Sequence, residues 1–168
     1  AVQGRNIHPG YAKDKMINAL QVACEINALL PAAREKVNAE LGDRFAELCQ
    51  QHEFFYILGS GPNFSQTYGF AICSLMEMQW QHCCYIHSGE YFHGPFEVST
   101  EGKPYVFFMS DGATRPMDAR ALTFLERMGA KVALIDSKDY GLADAVPASV
   151  VTYFNPLLHL AVMREYGN

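Results

Sequence analysis

From Glu53 onward the sequence changes rhythm again and again, and this alternation limits the possible folds more than any other feature. Short apolar runs rich in aromatic and β-branched residues occupy positions 54–58, 84–86, 105–109, 132–135 and 150–153. Helix-length stretches separate them at 64–81, 115–128 and 155–165. Continuous apolar runs of strand length, alternating with helices, predict a parallel sheet with both faces covered. The helix boundaries carry their own signals. Asn63 precedes Gln66 in a capping-box spacing, Thr114 stands before Pro116, and Gly129 closes the stretch 115–128.

Residues 9–52 read as two helices. Ile17, Leu20, Ala23, Cys24 and Leu30 mark the first, with Asn27 as a polar intruder, and Val37, Leu41, Phe45 and Leu48 mark the second. Pro31 fits the first turn of that second helix, while Gly42 weakens its interior. The expected architecture is α/β: a three-layer α-β-α sandwich around a five-stranded parallel, flavodoxin-like sheet, preceded by two helices. The domain boundaries are 1–52 for a helical linker or dimerisation segment and 53–168 for the α/β domain. Ligands of such sheets sit beyond the carboxyl ends of the strands at the topological switch point. This puts residues 59–65 at the ligand edge.

Composition narrows the function classes. With 168 residues and 49% hydrophobic side chains the chain can fill a core without disulfide or metal staples. Thirteen basic against eighteen acidic residues give a net charge of −5, with no basic block to grip nucleic acid or an anionic membrane. No apolar run reaches the ~18 residues of a membrane span, and the start Ala1-Val2-Gln3-Gly4-Arg5 is no signal peptide. Five cysteines, an odd number, with Cys24, Cys49 and Cys73 in apolar helical runs, read as buried thiols of a reducing cytosol.

Two segments carry candidate chemistry. The turn Gly59-Ser60-Gly61-Pro62-Asn63-Phe64 begins like a dinucleotide loop but lacks the third glycine, and no Gly-Lys-Ser/Thr is present. It fits either a loop whose amides and hydroxyls (Ser60, Ser65, Thr67) hold a sugar or anion, or a plain strand-to-helix turn. Between Glu77 and Glu97 three histidines, three glutamates and two cysteines gather, yet without zinc-ligand spacing, and no metal is expected. A Cys–His nucleophile stays open, though nothing singles out an activated thiol. Glu77, flanked by Leu75, Met76 and Met78, is either a partly desolvated general base or an ordinary solvated glutamate. His93, held in the stiff His93-Gly94-Pro95 turn beside carboxylates, is an acid/base candidate. His8, His52 and His159 lack such context.

These residues resemble the sugar isomerase (SIS) domain family. Glu77, followed sixteen positions later by His93 of Glu90-x-x-His93-Gly94-Pro95, matches the glutamate and the Gly-Glu-x-x-His-Gly-Pro signature of aminosugar-phosphate isomerase domains. Gly59-Ser60-Gly61 matches the start of such a domain. The run Leu75-Met76-Glu77-x-x-Trp80-x-His82, with Ser88-Gly89-Glu90 and Glu97, looks most like the fructosamine-6-phosphate deglycases of the fructoselysine and fructose-asparagine types. The resemblance implies a second SIS domain, with its helical linker, of a tandem pair. The chain begins without Met and ends abruptly, and so reads as a piece of a longer protein.

The resemblance further implies a reaction. An amino-acid-linked ketose phosphate and water would give a hexose phosphate and free amine, with Glu77 and His93 catalytic and no cofactor. Ser60, Gly61, Asn63, Ser65 and Glu90 would bind substrate, Glu90 holding its loop. A cytoplasmic homo-oligomer, at least a dimer through the apolar faces of the first two helices, is expected. Two alternatives stay open: an aldose–ketose isomerase like that of glucosamine synthase, which uses a lysine near its C-terminus where this chain has none after Lys138, and a non-catalytic phosphosugar-binding regulatory module.

Overall fold

The computed structural model describes residues 19–165. Four parallel strands, β1 (Phe54–Gly59), β2 (His82–His87), β3 (Pro104–Met109) and β4 (Lys131–Asp136), form one sheet in the order β2-β1-β3-β4. The sequence pattern predicts five strands; residues 150–153 instead form a 3-10 turn, Val151–Tyr153. The backbone N–H groups of Val150 and Val151 both donate to Pro147 O, and the Asn155 side chain takes the carbonyls of Val151 and Thr152. With Tyr153 71% exposed, the run buries too little to act as a fully covered strand.

The described residues before β1 make a single helix, α1 (Ala19–Gln51), and not two, with Pro31 inside it; residues 9–18 of the expected first helix lie outside the described residues. A proline within a helix removes one N–H and crowds the preceding turn. Packing overrides this cost: Val22, Ile26, Ala33, Val37, Phe45 and Leu48 are buried at three-, four-, seven- and eight-residue intervals on both sides of Pro31. That stripe, expected as a dimer contact, packs against the molecule's own core. Cys24 and Cys73, expected to be buried, are exposed, because the buried stripes of their helices run through Val22 and Ile26 and through Ala71 and Leu75.

Helix α2 (Phe64–Gly69) continues without a break as a wider π-helical segment, Phe70–Met78, and stops short of the expected Gln81. Trp80 ends it in a left-handed conformation (φ 56). Helix α3 (Arg115–Arg127) begins with Pro116 in its first turn and closes on Gly129 (φ 70). Gly129 N–H bonds Glu126 O and Ala130 N–H bonds Leu125 O, the doubly bonded glycine stop. Two short segments, Tyr91–His93 and Pro95–Val98, connect β2 to β3, and α4 (Leu142–Ala145) and α5 (Asn155–Met163) complete the chain.

Alternate residues of each strand enter one of two apolar clusters. Phe55, Ile57, Val106, Phe108, Ala133 and Ile135 pack with α1, Phe70, Leu75 and α5. Leu58, Ile86, Tyr105, Phe107 and Met109 pack with Tyr91, Ala121 and Leu125. On α5, His159 is wholly buried, its ring 5.4 Å from that of Phe108 and its Nε2 3.0 Å from Ser137 Oγ. Burial pushes this imidazole down from 6.5 to about 3, against the pull of the Asp136 charge.

Two outcomes follow from this packing. Pro31→Ala restores a helical N–H at an exposed position, and the unfolding free energy from urea titration should rise by about 1–3 kcal/mol. His159 is neutral when folded, so unfolding takes up a proton below its ordinary value of 6.5. Stability should be complete above that value and fall as the pH drops toward 3, by up to about 1.4 kcal/mol per pH unit. Denaturation between pH 7 and 5 should show this slope in the parent chain and lose it in His159→Gln.

Candidate functional site

Strand order departs from chain order around β1, which pairs with β2 on one side and β3 on the other. The loops that follow β1 and β3 therefore part to opposite sides, and open parallel sheets leave their ligand crevice there. Gly61 (φ 56) lies against Thr114 of the second loop; a Cβ on it would stand 2.8 Å from Thr114 Oγ1. Only glycine fits both the conformation and the contact. Ser60 and Asn63 are fully buried in this loop, and neither Ser60 Oγ nor the Asn63 side-chain amide has a hydrogen-bond partner among the described residues. Asn63 is helical itself and its side chain does not cap α2, contrary to the sequence expectation. Its carbonyl instead accepts from Thr67 Oγ1 at 3.3 Å. Ser65 is exposed and donates to Pro62 O at 3.0 Å.

His87, which sequence analysis passed over, stands level with Gly59 at the end of β2. Gly89 N–H donates to its Nδ1 at 3.0 Å, Gly61 N–H approaches its Nε2 at 3.4 Å, and Phe64 meets its ring edge-on at 5.0 Å. The imidazole thus lies between the two loops that carry the predicted binding residues. Its signal in the sequence was its place at the carboxyl end of a strand beside Ser88-Gly89.

A second residue missed in the sequence is Asp118, fully buried in the first turn of α3. Ser88 Oγ donates to Asp118 Oδ1 at 2.7 Å and Ser110 Oγ to Oδ2 at 3.2 Å. Beyond it Arg115 makes a two-pronged ion pair with Asp136, at 2.7 and 2.5 Å. Burial alone would raise the Asp136 carboxyl, but the bonds from Arg115 and the Lys138 N–H hold it below its ordinary value.

The two catalytic candidates occupy other ground. Glu77 lies in the last turn of the π-helical segment and is exposed, so its own chain does not provide the desolvation considered for it. His93 and Glu90 are exposed around the Tyr91–His93 turn. The helix that carries Glu77 packs through Phe70 and Leu75 into one cluster of the sheet, and the turn that carries His93 packs through Tyr91 and Phe92 into the other. Glu77 and His93 therefore flank edge strand β2 from opposite faces, and this chain alone does not join them. A cavity of about 510 Å³ lined by Asn38, Phe45, Cys49, Gln79 and Gln81 includes none of the predicted site residues. Among the described residues no three His, Cys, Asp or Glu side chains converge as metal ligands, and no helix is long and apolar enough to cross a membrane.

The chain is 39% identical over 133 residues, 79% of its length, to the fructosamine deglycase FrlB of Bacillus subtilis, of which those residues make up 40%. A phosphosugar isomerase structure from Salmonella typhimurium superposes with a TM-score of 0.83 at 38% identity, covering 88% of this chain and 45% of that one. The chain spans less than half the length of these relatives. A shorter similarity, 39% over 75 residues and 40% of the chain, links it to peptidase T of Haemophilus influenzae, covering 18% of that enzyme. The model of the peptidase dimerisation domain family matches residues 1–155, an attribution to which the residue-level resemblance did not point. By that family model the chain belongs to the peptidase dimerisation domain family, while its fold is that of the phosphosugar isomerases and its sequence is related to the fructosamine deglycases.

Proposed function

We propose that this chain is the second SIS domain of a fructosamine-6-phosphate deglycase. The observation that carries the reading is the pair of exposed, chemically suited side chains on the two sides of β2, Glu77 and His93. Glu77 stands in a π-helical turn, a local widening that recurs at functional sites. Similarity to a deglycase over most of the chain supports the same substrate class.

The proposed chemistry is proton transfer followed by hydrolysis. His93 moves the proton that opens the sugar ring. Glu77 removes a proton from the carbon that bears the amine and returns it to the former carbonyl carbon. The double bond thereby shifts to the carbon–nitrogen bond, and water cleaves that imine into an aldose phosphate and the free amine. Positioned acid/base groups of this kind supply a factor of about 10²–10⁴. Ser60, Gly61, Asn63 and Ser65 line the ligand edge, and Glu90 holds the loop of His93.

Because Glu77 and His93 lie on opposite faces, each completes its site with a neighbouring subunit, and the working form is at least a dimer. The peptidase dimerisation domain match is in keeping with such assembly. An aldose–ketose isomerase would use the same two groups without releasing an amine.

Glu77→Gln in the full-length protein should lower kcat for fructosamine-6-phosphate by about 10²–10⁴ and leave the unfolding midpoint unchanged, since the side chain is exposed. Near-normal turnover in this variant overturns the assignment. Isomerisation of fructose 6-phosphate without amine release from the fructosamine would favour the isomerase. Sedimentation at micromolar concentration should give a dimer or larger, and a monomer refutes the shared site.

A further inference from the structure

Asp118 has a direction of hydrogen bonding imposed on it that reaches the predicted ligand edge. Its carboxyl is fully buried, and no ion pair to it occurs among the described residues. It accepts the hydroxyl protons of Ser88 and Ser110, and Ser110 N–H lies 3.4 Å away. A serine hydroxyl has a single proton. Ser110 spends its proton on Asp118, so Thr114, whose Oγ1 is 3.1 Å from Ser110 Oγ, must donate to Ser110. Thr114 Oγ1 is thereby left as an acceptor, on a side chain that lies against Gly61. Meanwhile Ser88 is held twice, by Asp118 through its hydroxyl and by Gly59 O through its N–H at 3.0 Å. Filling this position with an apolar side chain would avoid the desolvation cost of a buried carboxyl.

We propose that Asp118 is a positioning residue for the reaction proposed above: its buried carboxyl fixes the start of the turn that carries Glu90 and His93, and with it the orientation of the Ser110–Thr114 hydroxyl chain beside Gly61. The inference rests on the deglycase reading and deepens it. Asp118 touches no reacting atom. It acts through Ser88 on one loop and through Ser110 on the other, so both loops at the crevice share one anchor.

Asp118→Asn keeps the size but offers an amide where both serines need acceptors. In the full-length protein kcat for fructosamine-6-phosphate should fall about tenfold or more, with KM changed less than about threefold, as for other residues that orient catalytic groups. Ser88→Ala should lower kcat in the same way, and the double variant should be little worse than Asp118→Asn, since the two remove one interaction. Equal kcat per folded molecule in Asp118→Asn and parent, or effects of the two substitutions that simply add, overturns the proposal. Should Asp118→Asn fail to fold, Ser88→Ala decides: parental kcat at parental Tm refutes positioning, and reduced kcat at parental Tm supports it. A parent protein that releases no hexose phosphate refutes the deglycase reading instead. Amide hydrogen exchange then tests Asp118 alone. Faster exchange across residues 89–94 in Asp118→Asn, with β1 unchanged, supports the anchor, and unchanged exchange there overturns it.

Discussion

Strand β3 is buried along its whole length, all six residues from Pro104 to Met109, and much of the molecule answers to that fact. A strand with no exposed side needs a neighbour on each edge and a cover on each face. Strands β1 and β4 supply the edges. The α1, α2 and α5 cluster covers one face, and α3 with the β2-to-β3 crossover covers the other. The parallel arrangement then brings the carboxyl ends of β1 and β3 side by side, with Gly59 level with Phe108. The loops that leave these ends diverge, and the polar groups of the crevice collect between them.

Those polar groups are tied to one another across several elements. Ser88 joins β2 to β1 and to α3, while Arg115 and Asn155 tie the loop after β3 to β4 and α5. Asn155 alone accepts from Asp111 N–H and donates to Asp111 O. Ser60 and Asn63 are the exceptions, since their side-chain polar atoms are buried without a partner among the described residues. Buried groups of this kind are normally satisfied by water or a ligand.

Much of the architecture was legible in the sequence, for a physical reason. The run of β3 is apolar throughout because both of its faces are buried, those of β1, β2 and β4 are apolar where they are buried in part, and Pro116 and Gly129 mark α3 because their backbone conformations suit its ends. Local signals failed where tertiary packing decided. Pro31 reads as a helix start, yet a buried stripe through Val37 and Phe45 carries α1 past it. The run 150–153 has strand composition, yet Pro147 and Asn155 take its hydrogen-bonding groups into a turn. Of the candidate site, Ser60, Gly61 and Asn63 were found because a glycine turn after a strand is a local pattern. Asp118 and His87 were not, since their partners lie 30 and 26 residues away in Ser88 and Gly61. The exposure of Glu77 was hidden by its apolar neighbours Met76 and Met78, which are themselves 39% and 54% exposed.

The chain has a single tryptophan, and the fold sets it at the turn between Glu77 and β2, 88% exposed in a left-handed conformation costing roughly 1–2 kcal/mol. Its indole is therefore almost as wet in the folded chain as in the unfolded one. Intrinsic fluorescence is nearly blind to the melting of the sheet, but it reads any surface that comes to rest beside Glu77. A blue-shifted emission would be an optical record of that covering, distinct from any record of folding.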